Sequence, residues 1–275
     1  MKDIFTFGVQ PAKRTVTIPD MREAKAEGRK LVQTFASGFE ELAAVEEAGL
    51  DMLICDSSQA EMLREANKTT FCTASMKMTE LPTVDDIFRE AFRVLHLGVD
   101  AVITPRSAQT IEALAREGIP VMAHVGLVPR KSVMTGGLRA AGKTADEATA
   151  LFKEFMRLED AGAFAVECEV ITAPVMEEIA KRTSMICVSL GSGSGGDVHH
   201  LFLSDICGES PTLPRHARQF GDLGPTRSAL IRARVDALVS FKTACIEGNF
   251  PSAGETASMP QNEYETFLEN IEKLR

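Results

Sequence analysis

From Leu31 to Asp205, short apolar runs alternate with stretches in which apolar residues return every three or four positions. The runs Leu31–Ser37, Met52–Ser58, Thr69–Met76, Ala101–Thr104, Pro120–Val125, Ala163–Val170, Met185–Leu190 and His199–Asp205 predict eight β-strands. The stretches Phe39–Ala48, Gln59–Ala66, Val84–Leu97, Ala108–Arg116, Ala145–Ala161 and Ala173–Lys181 predict helices with one apolar face. Thr144, followed by Asp146 and Glu147, reads as a helix start, and Gly98, Gly118 and Gly162 sit where helices should stop. The strands are apolar throughout and do not alternate, so both of their faces should be buried, as in a parallel sheet. Eight such strands predict an α/β fold, a (β/α)8 TIM barrel forming a single domain over residues 1–275. Residues 1–30 would be an N-terminal arm and 227–275 a C-terminal extension of helices and tail, with helices at Ala229–Glu247 and Glu263–Lys273. An open doubly wound sheet is the alternative.

Composition narrows the function classes. The chain has 44% hydrophobic and 25% charged residues and a net charge of −9, with no basic run. Electrostatic capture of nucleic acid or anionic lipid therefore has little to work with. No apolar stretch reaches the roughly eighteen residues of a membrane span, and the first sixteen residues carry no apolar signal core, so a cytoplasmic location is expected. Cys55, Cys72, Cys168, Cys187, Cys207 and Cys245 are dispersed, without the close pairing of a zinc site, and read as reduced, buried small hydrophobes.

A barrel places its chemistry at the C-terminal ends of its strands, so the polar residues at those ends are the candidates. Asp56 closes a run that should be buried, with the hydroxyl of Ser57 beside it. Such oxygen donors suit Mg2+, although an aspartate there could equally cap the next helix. Glu167 and Glu169 are two apart on one strand and so share a face, with Cys168 on the other. If that face is interior, burial and mutual repulsion should raise a carboxyl pKa into the range of a general base; if the strand has already emerged, both are solvated. His124 also ends a strand and could donate to a substrate oxygen or move a proton, or simply bond to backbone. Adjacent His199 and His200 should point to opposite faces and are not read as a ligand pair. Gly191–Gly196 satisfies GxGxxG after a strand, but a strand and not a helix follows, so the dinucleotide reading fails and a flexible loop with free N–H groups for an anion remains. The glycine-rich, basic stretch Gly136–Lys143 reads as a lid or a plain exposed loop.

Several segments in order resemble the ketopantoate hydroxymethyltransferase family of the phosphoenolpyruvate mutase/isocitrate lyase superfamily. They are Thr17–Asp20, Glu47–Asp51 running to Asp56-Ser57, Ile119–Pro129, Leu158–Ala165 with Glu167-Cys168, Leu190–Gly195 running to Leu203–Gly208, and further on Phe220–Leu223 and Gly248–Pro251. The resemblance implies a barrel enzyme that enolises 3-methyl-2-oxobutanoate and adds a one-carbon unit from 5,10-methylenetetrahydrofolate, an early step of pantothenate synthesis. It implies Glu167 as the base, Asp56 as a Mg2+ ligand, Ser57 as a contact to the substrate carboxylate and His124 as a pocket residue near the reacting oxygen. Glu169 has no counterpart in the family pattern. Ser75 stands where the family has a second metal-binding Asp, and Ile103 and Pro105 stand where it has a Lys and a Glu. Lys77 and Arg106, close to these positions, are candidates to supply positive charge to the substrate. The family also implies a homo-oligomer, for which the helix at Ala229–Glu247 offers a surface. A carbon–carbon lyase or hydrolase of the same superfamily, and a noncatalytic binding barrel, are the competing readings.

Overall fold

The computed structural model describes residues 1–274. A hairpin, β1 (Lys2–Phe5) and β2 (Pro11–Arg14), leads into helix α1 (Ile18–Glu27). Then come the strands of the barrel, each run within a residue or two of the expected bounds except the last, expected to reach Asp205, which gives way to a short helix at Leu203: β3 (Leu31–Phe35), β4 (Met52–Asp56), β5 (Phe71–Ser75), β6 (Ala101–Thr104), β7 (Val121–Gly126), β8 (Ala165–Glu169), β9 (Ile186–Leu190) and β10 (Val198–Phe202). All neighbours are parallel, and β10 pairs with β3 to close the ring. This is the expected (β/α)8 barrel, not an open sheet. Helices α2 (Phe39–Glu47), α3 (Ala60–Ala66), α4 (Val84–His96), α5 (Ala108–Arg116), α6 (Ser132–Thr135), α7 (Ala145–Asp160), α8 (Ala173–Ala180) and the four-residue α9 (Leu203–Ile206) fill the connections.

Two apolar layers follow from strand alternation. Met52, Ile54, Phe71, Ala101, Ile103, Met122, Ala165, Ile186, Val188 and Val198 fill the barrel interior, with Val16, Met21 and Ala24 of the N-terminal arm joining them. The residues that alternate with them, Leu53, Cys55, Cys72, Val102, Ala123, Val166, Cys168 and Cys187, face outward under the helices. Four cysteines are thus buried free thiols, as expected, but Cys207 is half-buried and Cys245 exposed. The arm is also held by charge: Arg14, 2% exposed, bonds to Asp100, which also takes Arg64. Burying such a group is tolerable because each of its three nitrogens finds an acceptor, among them the Lys13, Lys68 and Gly98 carbonyls.

The segment Gly191–Gly196 departs from its expectation. No helix links β9 to β10; the glycines carry the chain back along the outer side of β9, beneath α8. A Cβ at Gly195 would lie 2.8 Å from the Glu177 Cα, and one at Gly196 would lie 2.7 Å from the Ser189 Cβ. Ser192 is buried and bonds to the Cys168 carbonyl and the Ile171 N–H, and the Ser189 hydroxyl donates to the Gly193 carbonyl. The glycines therefore serve close packing and do not form a free anion loop. In the link after β7, Ala141 is tied to β8's extension by a bridge to Ile171, which anchors the C-terminal end of the basic stretch.

Contacts divide the chain into two compact units, Met1–Gly221 and the segment from Asp222 onward. The second holds α10 (Gly224–Ile246), which starts five residues before the expected helix and ends one residue before its expected end, and α11 (Gln261–Glu272). No helix among the described residues is long and apolar enough to cross a membrane.

Candidate functional site

The site is built where β7 and β8 end side by side. In their register His124 pairs with Glu167 and Gly126 with Glu169, and all three side chains belong to the inward set because Val125 and Cys168 face out. Gly126, at φ +92°, makes this closeness achievable: a Cβ there would sit 2.2 Å from the Glu169 carbonyl. His124 Nε2 lies 3.0 Å from Glu169 Oε2 and 3.7 Å from Glu167 Oε1. The histidine's partner is thus a carboxylate and not the backbone. The nitrogen bonded to Glu169 also has the Glu167 carboxylate at ion-pair distance.

Burial sets the electrostatics. Glu167 is 7% exposed. Burial raises its carboxyl above the usual glutamate value; His124 works against that rise and Glu169 adds to it. At His124 burial favours the neutral ring, yet the hydrogen bond to Glu169 and the charges of Glu167 and Glu169 prevail and raise its pKa. A further inward pair went unread in the sequence: Gln33 Nε2 and His200 Nδ1 are 3.0 Å apart, both side chains buried. Burial, with His124 nearby, pushes the His200 pKa down to about 3, so its ring is neutral. His199 is half-exposed and, as expected, forms no pair with it.

Asp56 stands on the opposite wall, since β4 and β8 are four places apart in the eight-strand ring. Alternation with the outward Cys55 turns it inward, and Ser75 pairs with it in register. It precedes the 3-10 turn Ser57–Gln59 but makes no side-chain bond to it, so the capping role is not realised. The other candidates are engaged elsewhere. Ser57 is buried, with its side chain bonded to Glu90 of α4, and its carbonyl accepts from Arg93. Lys77 lies 3.5 Å from Glu80. Arg106 donates to the Met78, Leu81 and Pro82 carbonyls and so shapes the loop between β5 and α4. The structure thus gathers His124, Glu167 and Glu169 into one cluster and leaves Asp56 and Ser75 together across the barrel.

Among the described residues, His124, Glu167 and Glu169 form an acidic group whose donor atoms all lie within 4.8 Å of one another, close enough to hold a metal ion. The model of the ketopantoate hydroxymethyltransferase family matches residues 60–253. The 3-methyl-2-oxobutanoate hydroxymethyltransferase of Hyperthermus butylicus is 33% identical, over 92% of this chain and 94% of its own. The chain belongs to the ketopantoate hydroxymethyltransferase family. A second relative, 3-methyl-2-oxobutanoate hydroxymethyltransferase 1 of Methylibium petroleiphilum, is 26% identical, covering 96% of this chain and 97% of its own. Two solved structures share the fold at 14% identity. They are a putative phosphonomutase from Burkholderia cenocepacia (TM-score 0.52; 82% of this chain, 99% of that one) and 2,3-dimethylmalate lyase, a PEP mutase/isocitrate lyase superfamily member (TM-score 0.50; 87% and 93%).

Proposed function

We propose that this protein enolises 3-methyl-2-oxobutanoate and adds a hydroxymethyl unit to it, with 5,10-methylenetetrahydrofolate as the donor, in the cytoplasm. The observation that carries the reading is a glutamate, Glu167, buried inside the barrel beside a histidine at the end where barrels do their chemistry. Glu167 takes the C3 proton; the C–H electron pair moves into the C2–C3 bond and onto the C2 oxygen as enolate. The raised pKa suits this task, because a stronger base is a better acceptor of a carbon-bound proton. His124, its ring held by Glu169, donates to the oxygen on which charge gathers. Water releases the methylene carbon from tetrahydrofolate as formaldehyde; C3 of the enolate attacks that carbon, the C=O π pair becomes an alkoxide, and the alkoxide takes a proton to give the hydroxymethyl group.

The Asp56 carboxylate, with Ser75 beside it, fits Mg2+, which takes one or two carboxylates and completes its shell with waters and substrate oxygens. A cation at the His124 cluster would occupy the lone pair that Glu167 needs as a base, and its nitrogen donor suits Mg2+ less well. When bound at Asp56, the cation would polarise the 2-oxo group and stabilise the enolate. Ser57, Lys77 and Arg106, bonded to Glu90, to Glu80 and to the Met78, Leu81 and Pro82 carbonyls, would have to leave these partners to reach the substrate carboxylate, and the reading assigns them no step.

The test is to incubate the protein with 3-methyl-2-oxobutanoate and 5,10-methylenetetrahydrofolate and to assay ketopantoate. Formation of ketopantoate, lost by about 10²-fold or more in Glu167→Gln, is the expected result. No ketopantoate, with cleavage of a 3-hydroxy acid instead, would transfer the same site to a lyase.

A further inference from the structure

A base as buried as Glu167 must dispose of the proton it collects before it can act again. Its carboxylate has one ionisable group at close range on the neighbouring strand: His124 Nε2, at 3.7 Å. That nitrogen is 3.0 Å from Glu169 Oε2, and Glu169 is the last residue of β8, one inward position nearer the mouth than Glu167. Glu167 and His124 are thus level in register and Glu169 stands one inward position nearer the mouth, with side chains 10%, 13% and 13% exposed. The other buried route, through His200 and Gln33, ends in a neutral ring and an amide and cannot carry a proton out. Arg130, the remaining charged neighbour felt by His124, carries donors and no acceptor atom.

We propose that Glu169 is the outlet through which the proton abstracted by Glu167 reaches solvent, with His124 as the intermediate carrier. The inference rests on the reading of Glu167 as the base. His124 Nε2–H passes its proton to Glu169 Oε2; the freed Nε2 lone pair takes the proton from Glu167; Glu169 releases its proton to water at the barrel mouth. One proton leaves the substrate carbon and one enters solvent, the C–H electron pair stays on the substrate, and no redox partner is required. Glu169 acts on the substrate only through these two groups.

The test follows loss of deuterium from 3-methyl-2-oxobutanoate labelled at C3, in ordinary water and without folate, by proton NMR on the full-length protein. Wild type should exchange the label. Glu169→Gln, which can still accept the His124 hydrogen bond but cannot carry a proton, should exchange about 10²-fold more slowly with KM little changed. Formate or imidazole at high concentration should restore much of that loss while leaving wild type unaffected, and Glu169→Asp should fall between the two. Exchange by Glu169→Gln within about threefold of wild type would overturn the outlet role and leave Glu167 as the base. A loss that no buffer restores, accompanied by a higher KM, would also overturn it and assign Glu169 a structural role. Failure of wild type to exchange the label would remove the base reading itself, and the outlet with it.

Discussion

A carboxylate that must be charged to work is held at Glu167 where charge is disfavoured. Because the folded protein binds this proton more tightly than the unfolded chain, stability should fall as pH rises from the ordinary glutamate value of 4.5 through the raised one. Glu167→Gln removes that loss, so its Tm should equal that of wild type at the acid end of this window and exceed it above, as thermal melts across pH can show. The same ionisation gates activity: deuterium exchange at C3 should rise with pH through an apparent pKa above the ordinary carboxylate range. At Asp56 a single carboxylate makes a site that needs the substrate's oxygens to be complete. Mg2+ affinity measured by calorimetry should therefore increase when 3-methyl-2-oxobutanoate is present, and Asp56→Asn should abolish the increase. The shared face of Glu167 and Glu169 was legible because side chains alternate with period two along a strand. That Glu169 meets His124 was not, because the contact depends on the register of β7 against β8, and sequence spacing within one strand says nothing about its neighbour.

At the scale of elements, the barrel strands were legible because a ring of parallel strands buries both faces, and that leaves uninterrupted apolar runs. Their ends, where the chain turns polar, moved by a residue or two, and by three at β10, where Leu203–Ile206 turn helical. What the pattern could not reveal is a strand connection without a helix. Between β9 and β10 the glycines mimic a phosphate-binding fingerprint, yet they are there because the chain must pass between β9 and α8 with no side chains in the way. Gly196→Ala tests this directly. Its new methyl would meet the Ser189 Cβ at 2.7 Å and the Cys187 carbonyl oxygen at 3.1 Å, so destabilisation of about 1–3 kcal/mol is expected in denaturant melts. An exposed anion-binding loop would tolerate the same change and lose ligand affinity instead.

For the whole molecule, the open question is what covers the C-terminal segment. From Asp222 onward nearly every described residue is exposed, including Leu230, Ile231, Val235, Leu238, Val239 and Phe241 of α10 and Phe267 and Leu268 of α11. Apolar residues stand on every side of α10, so no single face can be assigned to solvent. Arg232, Arg234, Asp236 and Lys242 are interspersed among them, yet exposed apolar surface on this scale marks an interface. Homo-oligomerisation, expected from the family resemblance, gives that surface a role. We therefore expect light scattering to report a mass that is a multiple of 29.8 kDa at micromolar concentration. Replacing Leu238 and Val239 together by Glu, both more than half exposed in the single chain, should shift the mass toward one subunit. If the doubly substituted protein keeps its mass, the subunit contact lies on the barrel and the C-terminal helices need another explanation. If wild type is itself a monomer, their apolar surface is accounted for by no association of this chain with itself.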